Sequence, residues 1–353
     1  MALIQIHRFM ERSQFLMAIM IMILCLITMK LILLSITAII IFLKTKNIIK
    51  DVNLASLNSK AKVMQNYKSF KRFDIVDNFL DHHYCQTWDQ PTQAWTKVIS
   101  NEWKILKKNL PDTIYVRVCE RRMDLLRAVI IGAAGTPYHD GLFVFDLRFP
   151  PKYPAVPPEV HYHSRGLRIN PNLYDCGRVC LSLLNTWTGR GNENWLPNKS
   201  TVLQVLVSIQ AVVLNEKPFF NEPGYAHTYT GRNGARKSTK YNEQTFILSL
   251  KTMLYTIRTP PQHFEDFVHG HFRTRGRAIL LACGAYMEGA SVGYTVKDES
   301  RGSRKAGRRK LEDYKRAINK LMELPGFKRD LGNLMNSLAE TLTKLGSKNC
   351  AKF

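Results

Sequence analysis

The chain has 353 residues, 45% of them hydrophobic, which leaves room for a real core and for two or three compact units. Seven cysteines, an odd number spread from Cys25 to Cys350, exclude a disulfide framework and point to a reducing compartment. The net charge of +23 is uneven, with 24 Lys/Arg against 11 Asp/Glu (net +13) from Ala226 onward; it fits nucleic acid, an anionic membrane surface or an acidic protein and does not choose among them.

Residues 1–14 are a short mixed tail. Phe15 to Leu43 is apolar for 29 residues with one charge, Lys30. A span needs about 20 such residues, so this stretch is expected to cross a bilayer or turn within it. Lys44, Lys46 and Lys50 outweigh Arg8 and Arg12, which puts the remainder on the cytosolic face, at an endomembrane. The alternative is that 1–43 is no anchor and the protein lies in cytosol or nucleus. Residues 44–92 read as a basic linker. Its patch from Phe70 to Tyr84 is expected to dock by its aromatic side chains, and the adjacent His82 and His83 with their acids are not expected to hold metal.

Gln93 to Leu110 reads as an amphipathic helix, with Trp95, Val98, Ile99, Trp103 and Leu106 on one face. Three strands follow: Ile114–Cys119, Leu125–Ile131 and Leu142–Leu147. Five prolines between Pro150 and Pro158 forbid helix and central strand, so this segment is a stiff extended arm. Val160 to His163 is expected to be an edge strand. The pattern is α+β, an antiparallel meander after a helix.

Next comes Asn170-Pro171-Asn172-Leu173-Tyr174-Asp175-Cys176-Gly177-Arg178-Val179-Cys180-Leu181. Cys180 is open to two readings, a buried apolar cysteine or a nucleophile beside the amide of Asn172. A polar loop with Trp187 and Trp195 follows; these either wall a groove or anchor the loop. Ser200 or Thr201 caps a helix with Val202, Leu206, Ile209 and Val213 on one stripe. Gly231 to Lys240 reads as a basic loop before a helix bearing Phe246, Leu250, Met253, Leu254 and Ile257. Phe264–Val268 and Ala278–Tyr286 read as two helical pieces. Residues 301–310 form a basic linker, a tether or an address for lipid, nucleic acid or nucleus. Leu311 to Leu345 reads as a terminal helix broken at Pro325-Gly326.

This order of elements resembles the ubiquitin-conjugating (E2) enzymes. The blocks that carry the resemblance are Phe149–Val160, Asn170–Leu184 and Ser200–Val213. It covers 93–260, read as the core domain, with 261–300 as a helical extension and 301–353 as linker and terminal helix. The patch from Phe70 to Tyr84 and the helices around Asn242–Gly276 look more like the large plant E2s and the hybrid E2/E3 type. The resemblance implies that Cys180 accepts ubiquitin from an activating enzyme (E1) as a thioester and passes it to a substrate lysine. Asn172 would stabilise the oxyanion, and Asn170 stands structurally where the family has histidine. ATP would be consumed by the E1, so no cofactor and no metal are expected. Lys97, Lys104, Lys107 and Lys108 would contact the E1, or simply solvate the first helix.

The family's acidic gate has no clean match, although Asn221 and Glu222 lie in its region. Ala155 and the long loop 189–198 depart from the usual ligase contacts and favour a hybrid or unusual mode. Three other classes are weaker. A catalytically inactive E2-like scaffold would not need Cys180. A cysteine protease would need a basic partner such as His161 or His163. A nucleic-acid binder rests on charge alone, and no nucleic-acid partner is expected.

Overall fold

The computed structural model describes Met20, Met22, residues 58–87, 92–187, 193–293, 326–348 and Cys350. The chain divides into two compact units, 1–62 and 63–353. The sheet and the helices packed on it belong to the second. The expected membrane segment, the N-terminal tail and the basic linker 301–310 lie outside the described residues apart from Met20 and Met22.

A five-stranded sheet has the order β1(Phe73–Val76), β2(Ile114–Cys119), β3(Leu125–Ile131), β4(Leu142–Arg148), β5(Glu159–Tyr162). The last four strands form the expected antiparallel meander. The first strand departs from the sequence reading, which placed it in a linker. It pairs parallel to β2, Phe73 opposite Val116 and Val76 opposite Cys119. A parallel neighbour needs a crossover, and α1(Gln93–Asn109) supplies it.

The central strands alternate between two apolar layers, so both faces of the sheet are covered there. Val116, Ala128 and Phe145 point into one core with Ile99 and Leu106 of α1 and the helix α2(Val202–Ser208). Val129, Leu142 and Val144 point into a second core, built by α3(Gly231–Arg258), α4(Glu265–Met287) and α5(Gly326–Leu345). Burial of a large apolar side chain contributes about 1.5–3 kcal/mol, so each layer is a substantial source of stability. Two helices are longer than the sequence suggested. The segment from Gly231 to Lys240 is the start of α3, and the two pieces within 264–286 belong to one helix, α4.

The sheet face that carries the second core also holds a buried ionic cluster. Arg127 and Asp146 are opposite each other in the β3–β4 register. Arg127 Nε donates to Asp146 Oδ1 at 2.7 Å and Nη2 to Oδ2 at 2.9 Å, with neither side chain exposed to solvent. Arg127 Nη1 also reaches Asp81 Oδ1 at 2.7 Å, and the His83 backbone N–H donates to Asp146 Oδ2 at 2.7 Å. The patch from Phe70 to Tyr84 is therefore docked by ions as well as by rings.

On α1, Thr92 caps the helix by accepting from the Trp95 backbone N–H. Its inner face holds one carboxylate among the apolar side chains. Glu102 is buried, accepts from Tyr153 Oη at 2.7 Å and from the Val202 backbone N–H at 3.1 Å. Burial raises its pKa, countered by those two donors. One side chain thus ties the proline arm to the first turn of α2. Glu102→Leu would leave a buried hydroxyl and a buried N–H unpaired, at about 1–3 kcal/mol each. A chemical-denaturation midpoint well below that of the native chain is the expected result, and an unchanged midpoint would contradict it.

Candidate active site

The stretch from Asn170 to Cys180 is a narrow hairpin laid against β5. The Cys180 backbone N–H donates to the Asn172 carbonyl at 2.9 Å, Leu173 bridges Val179, and the Tyr174 N–H donates to the Arg178 carbonyl at 3.0 Å. Gly177 turns the tip with φ +89°, and any Cβ there would collide with the His161 ring. That glycine is required both for its left-handed backbone and for the close approach.

Asn172 and Cys180 are therefore brought together. The Asn172 amide Nδ2 donates to the Cys180 carbonyl at 2.9 Å, so two hydrogen bonds clamp the two residues. An amide nitrogen carries two hydrogens, and this bond uses one of them. Cys180 is 3% exposed and Asn172 8%. Asn172 Oδ1 is buried without a hydrogen-bond partner among the described residues.

Asn170 is wholly buried and uses its full bonding capacity. Its Oδ1 accepts from the Asn172 backbone N–H at 2.8 Å. Its Nδ2 donates to Tyr138 Oη at 2.8 Å and to the Val213 carbonyl at 2.7 Å. That carbonyl is available because α2 ends in a wide π turn, Ile209–Val213, closed by Leu214 N–H on the Ile209 carbonyl. Terminal carbonyls of a helix need partners from outside it. Asn221 supplies a second, its Nδ2 reaching Val213 O at 3.1 Å and Asn170 Oδ1 at 3.4 Å. Asn215 Nδ2 in turn donates to Asn221 Oδ1 at 2.6 Å. The sequence reading placed Asn221 in the gate region but did not foresee this chain of amides.

The prolines and tryptophans frame the loop. Trp95 Nε1 donates to the Pro150 carbonyl and Trp195 Nε1 to the Pro154 carbonyl, at 3.1 and 2.8 Å. Trp195 is thus a loop anchor on the arm. Lys97, Lys104, Lys107 and Lys108 are all exposed on α1, away from the core. The imidazoles engage elsewhere. His161 stacks on His83 at 3.5 Å and His163 Nε2 lies 2.8 Å from Asp146 Oδ2. Among the described residues no hydrogen bond joins an imidazole to Cys180, and no cluster of three or more His, Cys, Asp or Glu could hold a metal ion.

The pattern of residues 98–246 matches the family of ubiquitin-conjugating enzymes. A ubiquitin-conjugating enzyme of Arabidopsis thaliana, E2 38, is 51% identical over 311 residues, covering 87% of this chain and 91% of that protein. The chain belongs to the ubiquitin-conjugating enzyme family. Another Arabidopsis thaliana relative, E2 26, is 52% identical over 300 residues, 84% of this chain, and the chain spans only 53% of its length. The human dual E2 ubiquitin-conjugating enzyme/E3 ubiquitin-protein ligase BIRC6 is 36% identical over 250 residues, covering 65% of this chain and 5% of that protein. In this E2 the matched residues run from within α1 through β2–β5 and α2 into the first part of α3, while β1, α4 and α5 lie outside them.

Buried His82 and half-buried His161 predict a pH-dependent stability for the E2. Burial holds His82 and His161 down to about 4 from the ordinary 6.5; Asp146 partly counters this for both, and the neighbouring His83 and His163 add to it at His161. Burial alone would raise the Asp146 carboxyl, but His163 and Arg127 more than offset it and hold it well below the usual range. Between pH 6.5 and about 4 the unfolded chain binds protons that the folded one refuses, so stability falls as pH falls through that window. The urea midpoint should drop between about pH 7 and about pH 5, and His82→Asn should flatten the drop. A midpoint constant across that range would contradict this.

Proposed function

We propose that this chain is an active ubiquitin carrier, with Cys180 as the acyl-carrying thiol. The supporting observation is the pair of hydrogen bonds that holds Asn172 and its amide to the backbone of Cys180. In the first step the Cys180 thiolate attacks the C-terminal carbonyl of ubiquitin held as a thioester on the E1. A new C–S bond forms and the E1 thiolate leaves; ATP has been spent earlier, by the E1. In the second step a substrate lysine amine attacks that carbonyl. The carbonyl oxygen takes up negative charge, and in this reading the second N–H of Asn172 stabilises it. The C–S bond then breaks, the Cys180 thiolate leaves, and the amine loses a proton to give the amide. A thioester is already a good acyl donor, so no general base on the thiol is needed. Asn170 acts by holding Asn172 through its backbone.

Partners follow from the chemistry: ubiquitin, an E1 that meets α1 and its exposed lysines, and a substrate protein. Ala155 and the long loop 189–198 favour transfer with little help from a separate E3, and the resemblance to a protein named as a dual E2/E3 enzyme supports that mode. It is tested by transfer to a lysine-bearing protein in the presence of E1, ATP and ubiquitin only. Transfer without added ligase is expected, and a loaded thioester that decays only by hydrolysis would contradict it. An inactive E2-like scaffold would bind ubiquitin without loading.

The apolar stretch from Phe15 to Leu43 supports attachment to the cytosolic face of an endomembrane. Among the described residues no helix is long and apolar enough to cross a membrane, and that stretch lies almost wholly outside them. Deleting residues 1–43 should move the protein from the membrane to the soluble fraction of a cell lysate. An unchanged distribution would rule the anchor out.

A further inference from the structure

The first half of α3 carries cations that form no ion pair within 4 Å among the described residues. Arg232, Arg236, Lys237 and Lys240 are all exposed, and no acid follows Gly231 until Glu243. Helical spacing sets Arg232, Arg236 and Lys240 in one row and Lys237 with Tyr241 in the next. Lys237 Nζ sits 4.7 Å from the Tyr229 ring centre. Tyr225, Tyr229 and Tyr241 gather on Phe219 with centroids 4.9, 5.4 and 6.0 Å away.

This surface adjoins the thiol loop on two sides. Arg168 lies 4.5 Å over Tyr174, a residue of the Asn172–Cys180 hairpin. It also reaches α3 by its charge: burial pushes the Tyr241 phenol up to about 12, and Arg168 partly counters that rise. Asn221, the last residue of the short turn that carries Phe219, bonds to Asn170. Among the described residues none of these five cations forms an ion pair within 4 Å.

We propose that this basic, tyrosine-backed surface docks an acidic segment of the protein to be modified and so presents a nearby lysine to Cys180. The proposal rests on the transferase reading of Cys180. Charge complementarity selects the acidic partner and speeds its encounter. Two other polyanions fit less well. The rings meet one another at steep angles, 77° between Tyr225 and Tyr229, and are half-buried, so they offer no open flat face on which bases could stack. The exposed positions of the first turns of α3 are Gly, Arg, Asn, Ala, Lys and Thr, without the large apolar side chains that an interfacial helix inserts into lipid.

The test uses the full chain and two labelled peptides, each with one lysine, flanked by Asp/Glu in one and by Ser/Gly in the other. Fluorescence anisotropy should show the acidic peptide binding about tenfold more tightly at low salt, with the two converging at high salt. The charge-reversed chain R232E/R236E/K240E should lose the preference. In single-turnover assays from preloaded thioester, the acidic peptide should accept ubiquitin faster than the neutral one, and the reversed chain should treat them alike. Equal affinities, a preference that survives reversal, or displacement of the peptide by a smaller charge equivalent of single-stranded oligonucleotide or anionic vesicle would each overturn the proposal. Binding is read without catalysis. If no thioester forms on the native chain, the transferase reading falls and the substrate role with it, whereas loss of the binding preference alone removes only this docking surface.

Discussion

Asn172→Ala is expected to slow discharge of the loaded thioester onto free lysine by about 10²–10³-fold, while loading of Cys180 falls far less. On the proposed role the difference arises because attack by the amine depends on stabilising the charge that builds on the carbonyl oxygen, whereas the thiolate in the loading step is a strong nucleophile on a good acyl donor and depends on it less. The variant also loses the hydrogen bond from Nδ2 to the Cys180 carbonyl. That loss acts on both steps alike, so the ratio of loading to discharge isolates the oxyanion contribution. Quenched-flow or gel-based single-turnover rates for the two steps would decide. Equal slowing of both would reduce Asn172 to a structural clamp.

Arg127→Met should cost about 3–5 kcal/mol, because it strands the Asp146 carboxylate in a sealed layer. Asp146 would keep the His83 backbone N–H and the His163 ring but lose both guanidinium bonds. The segment around Asp81 would also lose its anchor on the sheet. Replacing the pair together, R127M/D146L, should recover part of the loss, since no fully buried charge is left uncompensated and the Asp81 carboxylate, which also loses its partner, is half-exposed. Thermal or urea unfolding of the two variants checks this. A double variant as unstable as the single one would mean that the guanidinium matters for something other than pairing.

The contrast between these two predictions reflects what each residue reveals in the sequence. Asn172 and Cys180 are eight apart, with Pro171 just before the first and Gly177 between them, so local turn chemistry announces them. Arg127 stands inside a run that reads as nearly all apolar from Leu125 to Ile131, and its partner Asp146 is nineteen residues away. Only the strand register joins them, although a charge within each of two facing apolar runs was a usable signal. The β1 strand was hidden for another reason. It has four residues, one of them Asp74, too few to show a period of two, and its pairing is set by α1 crossing over it. The first turns of α3 read as loop because of Gly231 and Gly234. Gly234 is there since a side chain would strike the Tyr229 carbonyl, and the helix tolerates it. At Asn170 the sequence showed a departure from the family histidine. The bonds that make the substitution workable involve Tyr138 and Val213, which no local pattern connects to it.

The most direct measurement is a non-reducing gel of the full chain after incubation with E1, ATP and ubiquitin. One adduct of one ubiquitin per chain is expected, cleaved by thiol, absent from Cys180→Ala and intact in Cys176→Ala, whose thiol is exposed at the hairpin tip. Cys180→Ser should give an adduct that resists thiol, because an oxygen ester replaces the thioester. No thiol-sensitive adduct on the native chain, or one that persists in Cys180→Ala, would contradict the assignment of Cys180 as the carrier.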